Sequence, residues 1–266
     1  MDRLSQVFAR CATENRAALV GYLTAGDPSM EVSEVLMLTL ASQVDIIEIG
    51  IPFSDPVADG PVIQAASERA LAAGIHIADV FLIAEKVRKY NPEIGIVLMG
   101  YANVPYTMGF DAFAKDAKSV GVDGVLLVDI PAEESEICAA AFRAHGLSQI
   151  MLLAPTSTEQ RVKLAADIAQ GFIYYVSLAG TTGANMGEVT AVREKLAFIR
   201  QYTKLPICVG FGVKTPEQAK SVASFADGVV VGSHFVSQIT SNLDDYDAVR
   251  RSLLQSASVM ASAMAR

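Results

Sequence analysis

Glu48 and Asp59 are the two residues of this sequence best suited to moving protons. They bracket EIGIPFSDPVADGP (48–61), a proline-studded segment that begins inside the apolar run DIIEIG. An ionised carboxylate buried without partners is costly. A glutamate in such a strand therefore either faces an open end or keeps its proton to unusually high pH. Both outcomes suit general acid–base catalysis. The plainer alternative is a structural glutamate bonded to neighbouring backbone. Asp59 stands in a DG pair, which is also an ordinary turn, and Asp55 fits a cap on the Pro56 turn. Pro52, Pro56 and Pro61 restrict the unfolded chain, so the loop costs less to order.

Other chemistries are poorly provided for. His76, His145 and His234 are scattered and form no metal-ligand spacing. A buried Schiff base needs a lysine at a strand end, and the nearest, Lys214, lies beyond a GFG turn. Neither a Gly-x-Ser-x-Gly elbow nor a Cys/His pairing occurs. Glycine supplies the second signal. GTTG (180–183), GFG (210–212) and GS (232–233) each follow an apolar run. Any one alone reads as a turn. Three on neighbouring strands read as a phosphate cradle, in which backbone N–H groups and a helix N-terminus, here HFVSQIT, meet the anion without Arg or Lys.

These residues need a scaffold, and the chain spells one out. ALVGYL (18–23), DIIEIG (45–50), IGIVLMG (94–100), DGVLLV (123–128), QIMLL (149–153), FIYYVS (172–177), PICVG (206–210) and DGVVVG (227–232) are continuous apolar runs, the pattern of strands buried on both faces. Segments with helical spacing separate them, and Gly or Pro marks most junctions. Eight alternating units predict a (β/α)8 TIM barrel, with an open doubly wound sheet as the alternative. One domain is expected over 1–266, with an extra helix at 2–14 under the barrel, a short helix within 62–74, and extended loops after the second and sixth strands. In this architecture chemistry sits at the carboxyl ends of the strands, where Glu48 and the glycine turns fall.

Composition narrows the class further. Of 266 residues, 52 % are hydrophobic and 19 % charged, ample for a large core. A formal net charge of −8 disfavours nucleic acid and anionic membranes. Cys11, Cys138 and Cys208 are few and widely spaced, as expected of free thiols in a reducing cytosol. No run approaches the roughly 18 apolar residues of a membrane span. A cytoplasmic enzyme is expected.

Six stretches carry a family resemblance: YLTAGDP (22–28), EIGIPFSDPVADGPVIQ (48–64), GVDGVLLVDIPAEE (121–134), LAPTST (153–158), GFIYYVS (171–177) and GFGVKTPEQA (210–219). Over nearly its whole length the chain resembles the tryptophan synthase α subunits. The resemblance implies cleavage of indole-3-glycerol phosphate to indole and glyceraldehyde 3-phosphate. It implies no cofactor in this subunit, and a pyridoxal-phosphate β subunit as partner in an α2β2 assembly. It assigns Glu48 as acid–base residue and Asp59 as the carboxylate facing the indole N–H. Tyr174 and Thr182 would order the closed site. Gly183, Gly212, Gly232 and Ser233 would cradle phosphate, and Tyr22, Ile63, Met99, Tyr101 and Phe211 would line or surround the indole pocket. Residues 178–190 are expected to be mobile without ligand or partner. A stand-alone lyase and a mainly regulatory barrel are the competing readings; intact Glu48 and Asp59 argue against the second.

Overall fold

The apolar runs form strands because each must bury both faces, and a barrel provides two: a filled interior and a jacket of helices. The computed structural model describes residues 2–177, 186–210 and 212–266. Its strands are β1 (Ala18–Thr24), β2 (Ile46–Gly50), β3 (Gly95–Gly100), β4 (Gly124–Leu127), β5 (Ser148–Gln149), β6 (Met151–Leu153), β7 (Ile173–Val176), β8 (Ile207–Gly210) and β9 (Gly228–Val231). They make one parallel sheet in the order β5-β4-β3-β2-β1-β9-β8-β7-β6. The predicted fifth strand appears as β5 and β6. Its first half pairs with β4 and its second with β7. Between them the Ile150 N–H still donates to the Val125 carbonyl at 2.9 Å, so one run of chain closes the barrel.

Alternation along each strand sorts the core into two layers. Ala18, Val20, Ile46, Val97, Leu126, Ile150, Phe172, Cys208 and Val230 fill the interior. Leu19, Ile47, Ile49, Leu98, Val125, Ile173, Val209 and Val229 pack outward against helices. The expected N-terminal helix is Arg3–Thr13, capped by the Asp2 carboxylate accepting from the Ser5 N–H. It plugs the barrel floor: Leu4 reaches into space left by Gly95, Gly124 and Gly171, where any added Cβ would meet it within 3.3 Å. Around the same end, Asp45, Asp123 and Asp227 each accept a backbone N–H from the neighbouring strand, at Leu19, Ile96 and Ile207, and each pairs with arginine, Arg16, Arg88 and Arg200. Function is left to the opposite end.

The short helices appear at Pro61–Ala72 and Ser233–Thr240. Pro61 opens its helix at a position where a missing N–H costs nothing, so it belongs to the helix rather than to the loop. Two helices went unread in the sequence. Asn103–Met108 hides behind Pro105, a residue tolerated in a first turn, and Tyr246–Ala263 follows the last strand. The segment after the sixth predicted strand re-enters at the Met186–Ile199 helix. The expectation of mobility over 178–190 falls largely outside the described residues. Among the described residues, no helix is long and apolar enough to cross a membrane.

Candidate active site

Strand register sets Glu48 beside Tyr22 of β1 and Val97 of β3. Ile47 and Ile49 point outward, so Glu48 projects inward, into a cavity at the carboxyl end of the barrel. It is 1 % exposed. Neither carboxylate oxygen has a hydrogen-bond partner among the described residues. Burial, reinforced by the charge of Asp59, pushes its pKa up to about 8. At neutral pH Glu48 therefore holds a proton that it can give up, as a general acid must.

Asp59 reaches the same cavity from the loop after β2. Burial raises its pKa, and a hydrogen bond from Tyr101 pulls it back in part. The Tyr101 hydroxyl donates to Asp59 Oδ2 at 2.9 Å and accepts from the Ala58 N–H at 3.0 Å. Phe53 packs on the Tyr101 ring at 4.9 Å between centroids. Gln64 Nε2 donates to the Asp59 carbonyl at 2.8 Å. The loop is thus held by side chains as well as by Pro52 and Pro56. Removing the hydroxyl in Tyr101→Phe is expected to lower kcat about three- to tenfold and stability by about 1 kcal/mol, the usual worth of such a bond. Steady-state kinetics and denaturant melts check this; an unchanged kcat would mean that Tyr101 does not hold Asp59 for the reaction.

The cavity has a volume of about 510 Å³. Tyr22, Ile63, Met99, Tyr174, Gly212, Gly232 and Ser233 line it together with both carboxylates. Tyr101 stands behind the Asp59 loop instead of in the wall. Thr182, Gly183 and Phe211 lie outside the described residues. Val128, Leu152, Val176 and Val230 complete an apolar interior suited to a flat aromatic ring. At the opposite rim, Gly212 has φ 63°, a conformation that a β-branched residue adopts only under strain. Gly232 and Ser233 stand at the start of the Ser233–Thr240 helix, where unpaired N–H groups favour an anion.

Gly210 has a different reason from the one its GFG turn suggested. A Cβ there would lie 2.8 Å from the Tyr174 hydroxyl, and one at Gly50 would lie 2.2 Å from that of Tyr22. These glycines let two phenols lie across the barrel mouth. Lys214, set aside as a Schiff-base candidate, also lines the cavity and is its one cationic side chain among the described residues. Its position beyond the turn, off any strand, hid it. His234 is half-buried, with Nε2 2.7 Å from Ser256 Oγ, and burial followed by the Lys214 charge lowers its pKa. Among the described residues, no group of three or more His, Cys, Asp or Glu is placed to hold a metal ion.

The cavity thus combines a proton-bearing carboxyl, a second carboxylate, an apolar slot and a glycine rim. The family model described as tryptophan synthase alpha chain matches residues 8–265. The tryptophan synthase alpha chain of Zymomonas mobilis is 50 % identical over 240 residues, 90 % of this chain and 88 % of that one. That of Thioalkalivibrio sulfidiphilus is 47 % identical over 265 residues, 99 % of this chain and 100 % of the relative. Among solved structures, the Legionella pneumophila tryptophan synthase alpha chain superposes with a TM-score of 0.91 at 38 % identity, covering 99 % of this chain and 97 % of that chain. With fold and sequence in accord over nearly its full length, the chain belongs to the tryptophan synthase alpha chain family.

Proposed function

We propose that this chain cleaves indole-3-glycerol phosphate to indole and glyceraldehyde 3-phosphate, and that Glu48 and Asp59 carry the reaction. The observation behind it is the pairing of a buried, unpartnered Glu48 whose pKa is pushed up to about 8 with an Asp59 held at the same cavity by Tyr101. Glu48 gives its proton to indole C3, which turns the ring into an iminium-like species. The developing positive charge on the ring nitrogen is stabilised by the Asp59 carboxylate. Glu48, now ionised, takes the proton of the side-chain hydroxyl next to the ring. That hydroxyl becomes the aldehyde, the C–C bond breaks, and its electron pair restores the aromatic ring. Glu48 ends as it began. Gly212, Gly232 and Ser233 hold the phosphate through backbone N–H groups, with Lys214 adding charge at the rim.

A β subunit that consumes the indole is the partner we propose. Val57, 86 % exposed on the Asp59 loop, and Tyr106, 68 % exposed on the helix after β3, give that end of the barrel an apolar surface for it. The cofactor expected there, pyridoxal phosphate, belongs to that partner.

The test of the reading is release of indole from indole-3-glycerol phosphate, followed across pH. Activity requires protonated Glu48, so kcat/KM is expected to fall as pH rises through about 8. Gly212→Val is expected to weaken binding of glycerol phosphate at least tenfold, by filling the approach to the rim and straining a positive-φ position. Equal affinities by titration calorimetry would show the rim to be turns alone.

A further inference from the structure

The loop that presents Asp59 runs directly into the Pro61–Ala72 helix, and hydrogen bonds that the proton transfers do not use pin that helix at both ends. In its first turn, Gln64 holds the Asp59 carbonyl at 2.8 Å. In its last turn, Arg69 forms a fork on Asp27, with Nε to Oδ1 at 2.7 Å and Nη2 to Oδ2 at 2.8 Å. The same Nη2 donates to Thr240 Oγ1 at 3.1 Å. Asp27 lies in the turn after β1 and its side chain is 0 % exposed. Thr240 is the last residue of the helix whose first residues form the phosphate rim.

The Pro61–Ala72 and Ser233–Thr240 helices are in contact with each other. A groove of about 260 Å³ runs between them, lined by Pro61, Val62, Ala65, Ser237, Thr240 and Ser241. The charge-assisted fork adds direction to that contact: two parallel bonds fix the guanidinium in orientation as well as in position, a geometry that lysine cannot reproduce.

We propose that Arg69, seated on Asp27 and Thr240, is a positioning residue that keeps the Asp59 loop in register with the phosphate rim, so that filling one half of the cavity prepares the other. The Pro61–Ala72 helix acts as the strut. Its far end is tied to the phosphate helix, and its near end is tied through Gln64 to the backbone of Asp59. This inference rests on the lyase reading above. A fork that served the fold alone would change the folded fraction and leave the relation between the two half-sites untouched, because coupling is a property of two sites and the element that both bias.

The experiment uses the full chain and two probes, indole and glycerol 3-phosphate. Asp27→Asn combined with Arg69→Gln removes both charges together and so leaves no buried unpaired ion. Arg69→Lys keeps the charge, loses the fork and serves if the double variant fails to fold. In the parent, saturating glycerol 3-phosphate is expected to tighten indole binding about tenfold, within the usual range of site-to-site coupling. In both variants that factor is expected to fall below about twofold while the affinity for glycerol 3-phosphate alone holds. Lyase kcat is expected to drop about tenfold with KM little changed. Undiminished coupling in a folded variant overturns the strut and leaves the lyase reading standing. Independent binding of the two probes in the parent overturns it as well. A parent that binds neither probe and releases no indole overturns the lyase reading, and the strut with it.

Discussion

Replacing Glu48 with glutamine is expected to cut lyase turnover on the order of 10³-fold or more, since a sole acid–base group contributes about 4 kcal/mol to the barrier. It is also expected to make the folded chain more stable in alkali. The amide matches the carboxyl in size but neither gives nor takes the proton that indole C3 requires. Stability follows from linkage. Burial and the Asp59 charge raise the folded pKa from 4.5 to about 8, so the folded chain keeps a proton that the unfolded chain releases. Below pH 4.5 both states carry the proton and Glu48 contributes nothing either way. From there to about pH 8 stability falls as pH rises, and above it the penalty is complete. At 1.36 kcal/mol per pKa unit, the ceiling is about 5 kcal/mol, and water in an open cavity lowers it. Denaturant melts of both proteins at pH 5 and pH 9 should converge at the first and separate at the second. A variant with near-parental turnover removes Glu48 from the chemistry, and one without an alkaline advantage removes the raised pKa.

Asp59→Asn should cost nearly as much. The side chain keeps its shape and an oxygen for the indole N–H, but it loses the charge that answers the positive charge on the ring nitrogen. One preorganised stabilising group is worth about 3 to 4 kcal/mol in a site shielded from water, or roughly 10²- to 10³-fold in kcat. The loss should fall on kcat with KM within a few-fold, because the charge it answers exists only along the reaction path. The loop geometry should survive, since Tyr101 can still donate to an amide oxygen and Gln64 holds the backbone carbonyl. A rise in KM with kcat intact would recast Asp59 as a binding group.

What the sequence disclosed and what it hid divide along a physical line. Strands buried on both faces write themselves as unbroken apolar runs, so the barrel could be read, including the strand now split at Ile150. Glu48 stood out because it breaks such a run. Ile63 carries no chemical signal and came only with the family resemblance; its place in the cavity wall is a fact of three dimensions. Asp27 and Arg69 are 42 positions apart, and no local pattern links them. Gly210 was read for its backbone, yet its missing side chain matters as room for the Tyr174 phenol. Lys214 was passed over as lying beyond the GFG turn, yet its side chain lines the cavity.

The plug in the barrel floor bears on how the chain is made. Leu4 leaves the ribosome roughly 90 to 170 residues ahead of Gly95, Gly124 and Gly171, the sites that receive it. An isolated helix of 11 residues is marginal in water. The apolar face of Arg3–Thr13, with Leu4, Val7, Phe8 and Cys11, therefore emerges long before its socket exists. Contacts of such high sequence separation form late and slow folding. Through most of synthesis this face lacks the socket that buries it, and sealing the floor belongs to the last steps of assembly.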